Sequence, residues 1–279
     1  MIIQTSNVRI NVEYFPSSEK ESTFVFLLHG FTGSTNDWKE IIPLLSNNFS
    51  YVAIDLIGHG KSDAPNELEH YKTPSMIAQL DDIFRHFTKE RFILMGYSMG
   101  GRAALSYAAQ YPDKLSGLIL ESTSAGIVDE KLRNERILHD EQVIEIIEKK
   151  SLEEFFKFWM SQDLFSTLKS IPEEKLSKAK AAKLRNNKIG LINSLGGFGT
   201  GVMLPLHDKL DYIKCKTLLI TGEMDSKFSN INRELREKII NSRHEIVKDS
   251  GHIVHFEKPE EFVKVVNGHL TGVKMVSFD

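Results

Sequence analysis

Gly96-Tyr97-Ser98-Met99-Gly100 has the spacing G-x-S-x-G, which places a serine on a sharp turn between a strand and a helix. The apolar run Phe92–Met95 precedes it and the Ala-rich stretch Gly101–Gln110 follows, so both flanks are of the required kind. Side chains at 96 and 100 would collide with neighbouring backbone in such a turn, so both positions need glycine. The turn lifts the Ser98 hydroxyl above a sheet at a helix N-terminus, where backbone N–H groups face incoming negative charge. A second loop, His29-Gly30-Phe31-Thr32-Gly33, follows the apolar run Phe24–Leu28. It would supply one oxyanion donor, the N–H of Phe31, and the residue after the serine the other, the N–H of Met99. His29 reads as a hydrogen-bonded residue that shapes this loop. Asp55-Leu-Ile-Gly58-His-Gly60-Lys-Ser62 reads as a tight turn.

A serine hydroxyl needs a base, and the base needs an orienting group. Asp225, closing Gly222-Glu223-Met224-Asp225, follows the run Thr217–Ile220, and His252 follows His244–Val247. Both stand at the carboxyl ends of expected strands, where sites form in open parallel sheets. The order Ser98, Asp225, His252 suits an elbow serine. Glu121 or Glu223 could replace Asp225. His255 could replace His252, although three residues further on it should begin a helix. His139, His207 and His269 read as surface or packing residues. No His-x-x-x-His pair, no G-x-G-x-x-G after the first strand and no P-loop accompany these residues, so neither a metal nor a cofactor is expected. Arg102, one helical turn beyond Ser98, could point into the pocket and grip a carboxylate by two parallel hydrogen bonds.

The elements that must hold these groups are short apolar runs separated by helical patterns. Phe24–Leu28, Tyr51–Ile54, Phe92–Met95, Leu118–Leu120, Thr217–Ile220 and His244–Val247 read as buried parallel strands. Asp37–Leu45, Pro74–Thr88 and Gly101–Gln110 read as helices between them, and Ile2–Gln4 and Val8–Tyr14 as an antiparallel edge. The expectation is an α/β fold with a mostly parallel sheet covered on both faces. Between about residues 126 and 208 no strand run occurs. This divides the chain into a core, 1–125 with 209–279, and a helical lid, 126–208. Ser151-Leu-Glu-Glu154 and Ser170-Ile-Pro-Glu173 read as capping boxes inside that lid. Its Lys175, Lys178, Lys180, Lys183 and Lys188 read as a solvated helix face, with anion binding as the other reading.

Composition narrows the function classes. The 279 residues are 41% hydrophobic and 26% charged, as in an ordinary globular protein. A net charge of -3 gives no basic field for nucleic acid or an anionic membrane. Cys215 is the only cysteine, which excludes an intrachain disulfide and a Cys-based metal site. The longest apolar run is far too short to span a bilayer, and the first residues lack the cationic start of a signal peptide. A cytoplasmic setting is expected. Monomer and homodimer are equally compatible with the sequence.

Gly96-Tyr97-Ser98-Met99-Gly100-Gly101-Arg102, with Glu121-Ser122 and Gly126 beyond it, resembles the 2-succinyl-6-hydroxy-2,4-cyclohexadiene-1-carboxylate synthase family of menaquinone biosynthesis. The likeness runs from the His29-Gly30-Phe31 loop to His252. It takes in Arg133-Asn-Glu-Arg136, Trp159, Phe165, Leu184-Arg185-Asn186-Asn187, the loop Gly222–Phe228 and Gly251-His252-Ile-Val-His255. The resemblance implies an α/β-hydrolase fold, with a mostly parallel central sheet flanked by helices and a helical lid inserted between strands. It implies a carbon–oxygen lyase that eliminates pyruvate from 2-succinyl-5-enolpyruvyl-6-hydroxy-3-cyclohexene-1-carboxylate, with a Ser-His-Asp triad whose serine acts as base. That small molecule carries three carboxylates, and the resemblance assigns them to Arg102, Arg136 and Arg185, with Tyr97 and Trp159 as further pocket residues. Arg133 shares a helix face with Arg136 and is its alternative. Phe198-Gly199-Thr200-Gly201 reads as a hinge. The rival readings are a carboxylesterase or C–C bond hydrolase working through an acyl-enzyme, and a non-catalytic binding module. Residues from about Thr271 to Asp279 match nothing in the family and are expected to fray.

Overall fold

The computed structural model describes residues 1–19 and 21–274. Eight strands follow the apolar runs: β1 Ile2–Gln4, β2 Arg9–Phe15, β3 Thr23–Leu28, β4 Phe49–Ile54, β5 Phe92–Tyr97, β6 Leu115–Glu121, β7 Lys216–Gly222 and β8 Ser242–Val247. They form one sheet in the order β1-β2-β4-β3-β5-β6-β7-β8. β1 and β2 pair antiparallel, β2 joins β4 antiparallel, and every other neighbouring pair is parallel. The near-unbroken apolar sequence of β4 and β5 fits strands with no exposed residue.

Nine α-helices accompany the sheet among the described residues: α1 Thr73–Phe87, α2 Met99–Gln110, α3 Glu130–Lys149, α4 Leu152–Met160, α5 Glu173–Lys183, α6 Lys188–Phe198, α7 Ser226–Lys238, α8 Val254–Glu257 and α9 Pro259–Lys274. Because side chains alternate along a strand, the sheet feeds two cores. Phe26, Leu28, Leu94 and Leu118 pack against α1 and α2, whereas Val25, Leu27, Ile119 and Leu218 pack against Phe262, Val266 and Leu270 of α9. Each fully buried side chain of this size stabilises the fold by about 1.5–3 kcal/mol. Ala103, Ala104 and Ala108 are fully buried, and their small size lets α2 lie close over the sheet.

Four helices, α3 to α6, lie between β6 and β7, and three of them, α3, α4 and α6, share a small core built from Val143, Ile147, Phe155, Phe156, Leu191 and Leu195. α4 starts with the expected capping box, Ser151 and Glu154 exchanging hydrogen bonds. The second expected box is absent. Pro172 occupies the cap position of α5, and the Ser170 hydroxyl turns back to the Thr167 carbonyl at 2.8 Å, closing a 3-10 stretch. The helix expected over Asp37–Leu45 is instead two 3-10 turns, Thr35–Trp38 and Ile42–Leu44. Pro43 lacks the N–H that a continuous helix would need. Thr271 to Lys274 continue α9 rather than fraying. Residues 275–279 lie outside the described residues.

Candidate active site

Gly96, the fifth residue of β5, and Gly100 in the first turn of α2 let strand and helix meet almost in contact. A Cβ on Gly96 would stand 2.3 Å from the Gly100 carbonyl oxygen, and one on Gly100 2.3 Å from that of Leu28. Ser98 between them is held at φ 49° and ψ −107°, a left-handed conformation that costs a non-glycine residue about 1–3 kcal/mol. Backbone bonds over-determine it. The Ser98 N–H donates to the Glu121 carbonyl at 2.8 Å and the Thr123 hydroxyl donates to the Ser98 carbonyl at 2.8 Å. Asn232 in turn donates to the Thr123 carbonyl at 2.9 Å.

Three side chains from three loops meet above this turn. His252 Nε2 lies 3.2 Å from Ser98 Oγ, and His252 Nδ1 lies 2.7 Å from Asp225 Oδ2. Asp225 also caps α7, its other oxygen accepting from the Phe228 N–H at 3.2 Å. One carboxylate therefore fixes both the helix start and the imidazole. With Nδ1–H donated to Asp225, Nε2 is left to receive the Ser98 proton. His252 is 1% exposed, and the rings of Phe228 and Tyr97 stand 4.6 and 5.5 Å from it. Glu257 clamps the loop, accepting from the N–H groups of Gly251 at 2.7 Å and Ile253 at 3.1 Å, on either side of the histidine. Glu223 instead faces the Asp249 N–H at 3.3 Å on the surface, and Glu121 and His255 bond to each other.

The loop after β3 is held from below. His29 Nδ1 donates to the Gly30 carbonyl at 2.7 Å while its Nε2 accepts from the Leu56 N–H at 3.0 Å. Burial lowers the His29 pKa, which suits this neutral tautomer. Phe31 follows directly, and Met99, as the first residue of α2, has an N–H with no acceptor inside the helix. Asp55 ties the neighbouring turn, accepting from Thr35 N–H, Lys61 N–H and Asn11 Nδ2 at 2.6 to 2.8 Å.

Sequence reasoning gave no role to Asn186, yet this buried residue of the α5–α6 connection joins both loops. Its Nδ2 donates to the Thr32 carbonyl at 2.8 Å and its Oδ1 accepts from the Gly60 N–H at 3.0 Å. Beside it Gly58 and Gly190 touch backbone to backbone, with a Cβ on Gly190 falling 2.1 Å from the Gly58 oxygen. Asn186→Ala strands these groups, so a loss of about 1–3 kcal/mol is expected, read as a lower urea midpoint and faster proteolysis within α5 and α6. An unchanged midpoint would show that the pin is dispensable.

Two cavities flank the triad. The larger, about 810 Å³, is bordered by Phe31, Tyr97, Trp159, Phe165, Arg185 and His255. Trp159 of α4 stands edge-on to Phe31 at 5.2 Å. Its rim carries seven lysines and Arg185 against Asp37, Glu40 and Glu173. Lys175, Lys178, Lys180 and Lys183 belong to that rim, so the lysine face is solvated and also faces a cavity. Lys188 instead turns to the carbonyls at the end of α3. The smaller cavity, about 150 Å³, is bordered by Arg136, His207, Lys227 and Phe228.

The three arginines are therefore not gathered in one cavity. Arg185 is exposed on the larger one and Arg136 borders the smaller. Arg102 donates through Nη2 to the Phe198 carbonyl at 3.0 Å and lies over the Phe198 ring, while its Nε has no partner among the described residues. Burial, then the nearby charge of Arg136, pull the Arg102 pKa down to about 9, against which Asp140 acts upward. Asp140 is already bound to Arg136 at 2.9 Å. No hydrogen bond or ion pair joins Arg102 to that carboxylate among the described residues, and its guanidinium is left without an anionic partner of its own.

The family model described as alpha/beta hydrolase fold matches residues 23–259. A Bacillus subtilis (strain 168) protein provisionally named 2-succinyl-6-hydroxy-2,4-cyclohexadiene-1-carboxylate synthase is 39% identical over 96% of this chain and 99% of its own. A Salmonella paratyphi C (strain RKS4594) protein named as the same synthase is 29% identical over 90% of this chain and 94% of its own. The solved structure of MenH from S. aureus superimposes with a TM-score of 0.91, at 30% identity, over 94% of this chain and 98% of that one. The chain belongs to the alpha/beta hydrolase fold family and, within it, to the family of the 2-succinyl-6-hydroxy-2,4-cyclohexadiene-1-carboxylate synthases.

Proposed function

We propose that this chain is a carbon–oxygen lyase of menaquinone biosynthesis. It eliminates pyruvate from 2-succinyl-5-enolpyruvyl-6-hydroxy-3-cyclohexene-1-carboxylate to give 2-succinyl-6-hydroxy-2,4-cyclohexadiene-1-carboxylate. Family membership supports the reaction. The observation that carries this reading over ester cleavage is the Arg102 guanidinium, which bonds only the Phe198 carbonyl and leaves Nε unpaired among the described residues, beside the Arg136–Asp140 pair. A neutral ester gives that charge no partner, whereas a tricarboxylate does.

In the proposed chemistry Asp225 orients His252, and His252 Nε2 takes the Ser98 proton as the Ser98 oxygen takes a ring proton made acidic by the adjacent succinyl ketone. The N–H groups of Phe31 and Met99 hold the enolate oxygen. The electron pair returns to form the ring double bond, the C–O bond breaks, and the departing enolate becomes pyruvate by taking up the proton held by His252, which returns Ser98 and His252 to their starting states. Arg185 at the larger cavity and Arg136 with Arg102 on the side of the smaller one are the carboxylate partners, so the bound molecule must reach from one cavity toward the other. Tyr97 and Trp159 wall the ring, and residues 126–208 act as the lid. Protein groups alone carry the step. No helix among the described residues is long and apolar enough to cross a membrane, and the proposed setting is cytoplasmic. The test is to supply the enolpyruvyl substrate and follow free pyruvate, with an aryl ester in parallel. Pyruvate formation with little ester turnover is expected. Rapid ester turnover without pyruvate would overturn the reading.

A further inference from the structure

The two residues that the sequence offers as substitutes within the triad are instead partners of one another. Glu121 ends β6 and His255 lies in α8, and they are 0% and 3% exposed. Glu121 accepts from the His255 N–H at 3.0 Å with one oxygen and from His255 Nδ1 at 2.8 Å with the other. Trp38 stacks on the imidazole at 4.7 Å, and the Tyr97 ring meets it edge-on at 5.0 Å. Packing alone does not account for such a pair, because a buried carboxylate is expensive and an apolar pair fills the same space at lower cost. The arrangement repeats that of Asp225 and His252: a carboxylate on Nδ1 and Nε2 left over. His255 Nε2 has no hydrogen-bond partner among the described residues, and the ring forms part of the wall of the larger cavity beside Tyr97.

We propose that His255 is a ligand-binding residue of the larger cavity, held by Glu121 so that its Nε2–H donates to a carboxylate of the bound molecule. The proposal rests on the pyruvate-releasing reading, whose substrate brings three carboxylates. Glu121 takes Nδ1–H and the ligand carboxylate takes Nε2–H, so the ring bridges two carboxylates through its two nitrogens. The rim lysines and Arg185 draw anions to that wall, and Asp37 on the same wall limits where a carboxylate can settle.

His255→Asn separates the two nitrogens. An asparagine amide reaches the Nδ1 position and keeps the Glu121 bond, but nothing remains at Nε2. His255→Gln places its amide nearer the Nε2 position. In the pyruvate assay, H255N is expected to raise KM about 10- to 100-fold with kcat within about threefold of wild type, and H255Q to recover much of that loss. A folded H255N whose KM stays within about twofold of wild type would overturn the proposal. Should H255N not fold, the wild-type chain labelled with ¹⁵N-histidine is titrated with the reaction product. Movement of the His255 Nε2 resonance supports the contact, and a stationary one overturns it. A wild-type chain that releases no pyruvate counts against the functional reading alone. The same titration with citrate then decides the His255 contact by the same criterion.

Discussion

Ser98→Ala is expected to cut pyruvate release on the order of 10³-fold or more, while substrate affinity stays within a few-fold of wild type. The reason is local. The variant removes the one atom that faces His252 Nε2 at 3.2 Å and leaves Cβ, the turn and the guanidiniums in place. The elbow is held by the Glu121 carbonyl, the Thr123 hydroxyl and the two flanking glycines rather than by the serine hydroxyl. Stability should therefore change by only about 1 kcal/mol, the worth of one hydrogen bond. Steady-state pyruvate release measures the first effect, and quenching of Trp159 fluorescence by substrate measures the second. A variant that turns over normally would remove Ser98 from the mechanism. One that loses binding in step with turnover would make the hydroxyl a binding group instead of a base.

Gly96→Ala is expected to destabilise the whole fold by about 3 kcal/mol or more, at the upper end of overpacking effects. The clash is backbone against backbone: the new methyl carbon would lie 2.3 Å from the Gly100 carbonyl oxygen and 2.6 Å from the Gly101 nitrogen. No rotamer change relieves it, so β5 and α2 must separate. Their separation also moves Ser98 away from His252, and a misplacement of about 1 Å can cost about 100-fold in rate. Urea denaturation and the pyruvate assay should fall together. A variant with an unchanged midpoint would mean that the elbow tolerates a side chain there, which the geometry denies.

The sheet and the hydrogen-bonded arrangement of Ser98, His252 and Asp225 were legible because each rests on local signals. Apolar runs of the right length marked β3 to β7, whereas β8, expected to be buried, is a sheet edge that carries Arg243, His244 and Glu245 and is buried only at Val247. A glycine–serine turn between a strand and a helix has few other uses. Asp225 and His252 were found by the same logic, as polar residues just past strand ends. What escaped the reading depends on distance in space. Asn186 reads as one more polar residue of a connecting loop, and only the folded chain brings it to Thr32 and Gly60. Glu121 and His255 are 134 residues apart, so their pairing left no trace in spacing. Apolar spacing also hid Pro43, which divides the stretch before β4 into two short turns. Arg102 was offered by its place one turn beyond Ser98, and Arg136 and Arg185 only by a resemblance; the fold puts Arg136 on one cavity, Arg185 on the other, and bonds Arg102 to the Phe198 carbonyl.

In the proposed reaction the Ser98 hydroxyl removes a carbon-bound proton and never becomes acylated. Intact-mass analysis of the chain during turnover of the enolpyruvyl substrate, with pyruvate counted in the same sample, tests this directly. Pyruvate and cyclohexadiene product in equal amounts are expected, with a protein mass that stays unmodified throughout. An adduct building up on Ser98, or product formed without pyruvate, would contradict it.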